Sequence, residues 1–168
     1  MEKYSIEDIQ KRVKELALKI NVPEYLLPTF EHLRGDGTPC IEVDSKGFMY
    51  YVISERGQEF ERRKTGKIND LLYWIFSDVT SLMSFRYELE NRIEDKDCRR
   101  LAFNKQLELL GLLDNDWKEK EKNEHQIILK SFPFDDFALL RANLLSQLRK
   151  QGYSEMEIEK IAYEKYPR

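Results

Sequence analysis

Histidine and cysteine, the side chains that most often hold transition metals, occur only twice each in this chain of 168 residues, and glycine only seven times. His32 and His125 have no cysteine and no second histidine at ligand spacing, so no metal centre is expected. Cys40 and Cys98 lie far apart with no CxxC around either, and both read as reduced, partly buried thiols. Phosphate-cradling loops need closely set glycines ahead of a helix. The close pair here, Gly35 and Gly37, instead precedes a run with strand character, so no nucleotide or other cofactor is expected. Asp36, between those glycines, reads as an ordinary turn residue. Neither GxSxG nor a local cysteine signature marks a catalytic nucleophile. With 28 basic and 31 acidic residues, a net charge of −3, no field of one sign gathers nucleic acid or anionic lipid. No stretch approaches the roughly 18 uninterrupted apolar residues of a membrane span. The N-terminal MEKYSIEDIQKRVKE lacks the apolar centre of a signal peptide, and a cytoplasmic location with no membrane partner is the expectation.

What is present is a supply of 41% hydrophobic and 35% charged residues, enough for one core under an evenly ionised exterior. The expectation is a single domain over residues 1–168, of α+β class and mostly helical. Ser5 followed by Glu7 and Asp8 has the form of a helix start. Ile6, Ile9, Val13, Leu16 and Ile20 then recur at helical spacing, which predicts a helix over 6–20. Pro23 and Pro28 bracket EYLL and leave room there for a short turn only. From Cys40 the pattern becomes CIEVD, FMYYVIS and QEFERRKT, separated by DSKG and ERG, a three-stranded antiparallel meander over about 40–64. Its third strand is heavily charged, with Glu59, Glu61 and Arg63 expected on one face, a device that also guards a sheet edge. Helical periodicity resumes over about 67–94, then 98–113, 115–130, 134–150 and 155–165, so the sheet packs against a bundle of about five helices.

Several stretches invite functional readings that ordinary structure also explains. Acidic residues are abundant, and abundance weakens each as an acid–base catalyst, since that chemistry needs environments that push two pKa values apart. Asp78, inside YWIFSDVTSLM, is read as a buried or half-buried polar group that fixes helix packing by pairing with an arginine, with Arg86, Arg92 and Arg99 as candidates. LRKQGYSEMEIEKIA has the outline of a helix-turn-helix. Its second helix is acidic, however, and Ser154 with Glu157 forms a capping box, so no nucleic-acid partner is expected. The run WKEKEKNEH, 117–125, reads as a solvated face held by pairs four residues apart. Trp74 and Trp117 read as core anchors.

The stretch from about Phe48 to Trp117 resembles the immunity protein 63 family of bacterial polymorphic toxin systems. The resemblance rests on YYVISERGQEFERRKT, on DLLYWIFSDVTSLMSFRYELENRI, and on RRLAFNKQLELLGLLDNDW, taken in their order and spacing. It implies a mainly helical cytoplasmic protein, not an enzyme, that neutralises a cognate toxin domain by forming a stoichiometric complex. On that footing the charged outer face of the sheet around Glu55, Arg56, Glu59 and Glu61 is the expected contact surface, acidic side chains and an open strand edge facing a basic toxin. A helical adaptor or regulatory protein-binding module is the alternative reading of the same residues. A small hydrolase or transferase assembled from scattered carboxylates and arginines is the third.

Overall fold

A computed structural model describes residues 3–168. Ser5 opens the first helix, α1 (Ile6–Lys19). Its hydroxyl accepts the Asp8 N–H at 3.1 Å while the Asp8 carboxylate accepts the Ser5 N–H at 3.1 Å, which satisfies two of the donors a helix start leaves open. Ile9, Val13 and Ala17, four residues apart, form its buried stripe. A single 3-10 turn, Glu24–Leu26, fills the segment between Pro23 and Pro28.

Four strands follow, β1 (Thr29–Phe30), β2 (Cys40–Val43), β3 (Met49–Glu55) and β4 (Gln58–Thr65), side by side in that order. β2, β3 and β4 form the expected antiparallel meander. The sheet nevertheless has four strands and is mixed, because β1 runs parallel to β2. Two residues are too few for an alternating pattern to register. What places β1 is its backbone: the Thr29 N–H donates to the Pro39 carbonyl and the Glu31 N–H to the Ile41 carbonyl, each at 2.9 Å. Arg56 and Gly57 turn β3 into β4 with φ of 50° and 78°, the two left-handed residues that a tight primed hairpin requires.

Ile53 pairs with Glu61 and Ser54 with Glu59, which leaves Phe60 as an inserted residue, a β-bulge. One inserted residue reverses the alternation beyond it. Glu59 therefore shares a face with Arg62, while Glu61 and Arg63 share the opposite one, which corrects the expectation that Glu59, Glu61 and Arg63 lie together.

The remaining helices are α2 (Ile68–Glu90), α3 (Cys98–Leu113), α4 (Asn115–Ser131), α5 (Ala138–Lys150) and α6 (Glu155–Lys165). The described residues fall into two compact units. One holds the chain up to Met83 together with Gln106–Glu121, the other Ser84–Lys105 with Lys122–Arg168.

The first unit has an apolar core in which Ile9 and Val13 of α1, Ile41, Met49 and Tyr51 of the sheet, Leu71, Ile75, Phe76 and Val79 of α2, Leu110 of α3 and Trp117 of α4 are buried. In the second unit Ala102, Leu148, Ile158 and Ala162 are the buried apolar residues, and Glu88, Asp97, His125 and Arg141 are buried as well. Polar bonds set its element boundaries. α5 starts at Ala138, four residues later than expected, because the Asp135 N–H donates to the Asp97 carboxylate and Asp136 accepts from Arg100 and from the Asp97 N–H. α2 stops at Glu90, where Asn91 donates its side-chain amide to the Tyr87 carbonyl. Ile93 continues the apolar period yet lies outside the helix and half exposed. α5 ends at Lys150, as read, just before Gly152, whose φ of 85° lets Tyr153 and Gly152 donate back to Leu148 and Arg149. Of the two thiols, Cys40 is buried, whereas Cys98, expected to be partly buried, is exposed at the first residue of α3.

Candidate functional site

The sheet face that carries Glu59 is a field of paired charge. Arg62 donates to both Glu59 oxygens and, at 2.8 Å, to Glu42 of β2. Its guanidinium lies 5.5 Å from the Tyr50 ring, and the Lys64 ammonium 3.9 Å from the Phe48 ring. The Arg62 hydrogen bonds hold the Glu59 carboxyl below its ordinary value, and the same bonds raise Arg62. At the hairpin end, Glu55 and Arg56 form a loose pair at 3.5 Å, with the Arg56 side chain 90% exposed. Of the four expected contact residues, Glu55, Arg56 and Glu59 are exposed at this end of the sheet. Glu61 is half-buried on the other face, paired with Arg63.

That opposite face carries the most unusual electrostatics. The Tyr51 hydroxyl donates to the Asp78 carboxylate, joining β3 to α2. The Arg63 guanidinium lies 5.4 Å from the Tyr51 ring and 5.8 Å from that of Trp74, which is half-buried. Burial pushes the Asp78 carboxyl up; the Tyr51 bond and the Arg63 charge pull it down, and the result is a raised value. Burial and the adjacent Asp78 raise the Tyr51 phenol as well. Asp78 thus takes its bond from a tyrosine of the sheet. Arg86 pairs with Glu90 at 3.2 Å, Arg92 with Glu88 at 2.8 Å and Arg99 with Asp97 at 2.6 Å.

Two polar clusters escaped the reading of the sequence. Glu121 lies within WKEKEKNEH, whose alternating charges predict a solvated face, yet it is buried and accepts the Tyr73 hydroxyl at 3.0 Å and the Ser77 hydroxyl at 2.7 Å. Trp117, Glu121 and His125 recur every fourth residue and all three are buried, so the inward stripe of α4 was present as a spacing but masked by the surrounding lysines and glutamates. In the second unit, Arg99 clasps Asp97 and donates to the Phe132 and Pro133 carbonyls at 2.8 and 2.9 Å. Burial raises the Asp97 carboxyl, while Arg99 and the Asp135 and Arg99 backbone N–H groups more than reverse this and leave it lowered.

Among the described residues no three His, Cys, Asp or Glu side chains are grouped to hold a metal ion. A hollow of about 360 Å³ is lined by Glu88, Arg92, Asp97, Cys98, Arg99 and Asp135, with Glu88 and Asp97 bound by arginines within it. Beside Asp78 and Tyr51 the free space is about 30 Å³, room for a water rather than a substrate.

The motifs behind the family resemblance each have a structural task. ERG makes the hairpin turn, Asp78 bonds Tyr51, Arg99 and Arg100 fasten the segment before α5, and Trp117 donates its indole N–H to Asn69 at 3.1 Å while stacking on Phe76. A family model described as immunity protein 63 matches residues 44–127, half of the chain, from the turn before β3 into α4. No curated protein and no solved structure matches. Among the described residues no helix is long and apolar enough to cross a membrane.

Proposed function

Because the chain belongs to the immunity protein 63 family, we propose that it neutralises a cognate bacterial toxin domain by direct, stoichiometric binding in the cytoplasm of the cell that makes both. The observation that carries this reading is the family match over residues 44–127, which takes in β3, β4 and the helix that supports them. Inhibition by occupancy needs a stiff surface with patterned charge and no turnover, and complementary charge speeds and orients the encounter. On β4, Arg62, Arg63 and Lys64 are held by Glu42, Glu59, Glu61 and the rings of Phe48 and Tyr50, so they meet a partner with little side-chain entropy left to lose.

The contact surface is assigned to the hairpin end of the sheet, Glu55, Arg56 and Glu59, with Glu61 behind them. Co-expression with candidate toxin domains from the same locus tests both levels of the proposal. The native chain restores growth against one toxin and co-purifies with it. Glu59→Lys combined with Glu61→Lys lowers the affinity and flattens its dependence on salt. Rescue without a stable complex contradicts binding as the mechanism, and unchanged affinity and salt slope in the double variant remove the surface assignment.

A further inference from the structure

β4 is an outer strand: β3 is its neighbour on one side and no strand lies on the other. Eight residues long, it leaves alternate backbone N–H and C=O groups pointing away from the sheet, a row that an extended chain can pair with. Among the described residues, 58–64 make no backbone–backbone hydrogen bond outside the sheet. Natural edges of this length are usually blocked by charged side chains. Here the cations of β4 are drawn sideways over the faces of the sheet and off its edge. Arg62 lies on Glu59, Glu42 and the Tyr50 ring, Arg63 on Glu61 and the rings of Tyr51 and Trp74, and Lys64 over the rings of Phe48 and Tyr50.

The bulge adds a second feature. Phe60, which has no cross-strand partner, is 66% exposed in the middle of this edge. An exposed aromatic flanked by open main-chain donors and acceptors is the combination that strand addition uses, with main-chain bonds for affinity and a side-chain contact for register. The charge sequence along the strand states what would lie beside it: Glu59 and Glu61 precede Arg62, Arg63 and Lys64.

We propose that the toxin is held by strand addition: an extended segment of it pairs along the free edge of β4, places an apolar side chain against Phe60, and sets cationic groups opposite residues 59–61 and anionic groups opposite 62–64. This rests on the reading of the protein as a stoichiometric toxin inhibitor and specifies how the inhibitor grips. The occupant is a strand, because what the edge offers is unpaired main chain and the matching chemistry is another extended main chain.

Amide hydrogen exchange tests it, using the toxin domain whose action the chain suppresses in co-expression. In the free chain the outward amides of 58–65 exchange quickly. In the complex alternate amides of that segment slow by at least about tenfold, the pattern of a second ladder. Phe60→Ser weakens the complex by about tenfold and leaves the thermal midpoint of the free chain in place, since the ring has little packing to lose. A complex of one chain with one toxin in which β4 amides exchange as before, with protection elsewhere, overturns strand addition while leaving inhibition by binding intact. Suppression of the toxin with no complex at all overturns both. Slow β4 exchange that grows with the concentration of the chain alone shows a second copy in that place, and also overturns the assignment to the toxin.

Discussion

Asp78, half-buried beside Tyr51, is a carboxyl whose surroundings raise it above its ordinary value. Its carboxyl is raised chiefly by burial, so the native state holds that proton more tightly than the unfolded chain does. The native state then loses stability as pH climbs from the ordinary carboxylate value of about 4 through the raised one, and stays lower above it. Asn at this position keeps an oxygen for the Tyr51 hydroxyl and removes the buried charge. Asp78→Asn is therefore expected to be more stable than the native chain at pH 7, by on the order of 1 kcal/mol, with the advantage gone below about pH 4. Denaturant titrations at the two pH values measure it; a destabilised variant at pH 7 shows that attraction to Arg63 outweighs burial. The Asp97 carboxyl, lowered by Arg99 and two backbone N–H groups, has the opposite sign: its contribution is present above about pH 4 and is lost below. The Tyr51 and Asp135 contacts were not legible in the sequence, because Tyr51 lies 27 positions from Asp78 and Asp135 lies 38 from Asp97. Periodicity reports which face a residue occupies and is silent on what the fold brings to it.

At the scale of elements, local chemistry explains which boundaries were legible. Ser5 with Asp8 and Ser154 with Glu157 make capping boxes that can be read directly, and α3 runs from Cys98 to Leu113 as its apolar spacing predicts. The late start of α5 depends on a bond from Asp97, 38 positions away, whereas β1 is too short to show alternation and the bulge at Phe60 inserts a residue that strict alternation does not register. The hairpin turn shows a local conflict as well. Arg56 sits at φ 50°, where asparagine or glycine is at home and a long side chain is strained by about 1 kcal/mol. Such strain gathers at sites retained for another purpose. Arg56→Asn is expected to stabilise the free chain by roughly 0.5–1 kcal/mol and to weaken toxin binding. A thermal melt and a binding titration on the same variant test this, and a stabilised variant that binds as well as the native chain removes Arg56 from the contact surface.

Over the whole molecule, the divisions between the two compact units fall inside α2, α3 and α4. The second unit encloses few apolar residues, namely Ala102, Leu148, Ile158 and Ala162. We propose that the chain behaves as one cooperative domain. Calorimetry should give a single transition whose calorimetric and van't Hoff enthalpies agree; two resolved transitions contradict this. On the proposed function such cooperativity would matter, since a surface that excludes a toxin by occupancy has to stay in one shape while the encounter lasts.

The central claim, inhibition by occupancy, is tested most directly by titrating the purified chain into its purified toxin at a toxin concentration well above the dissociation constant. Residual toxin activity should fall in a straight line to zero at one equivalent and then stay constant with time. Loss of activity that deepens with time at a small fraction of an equivalent would mean turnover, and would contradict the account.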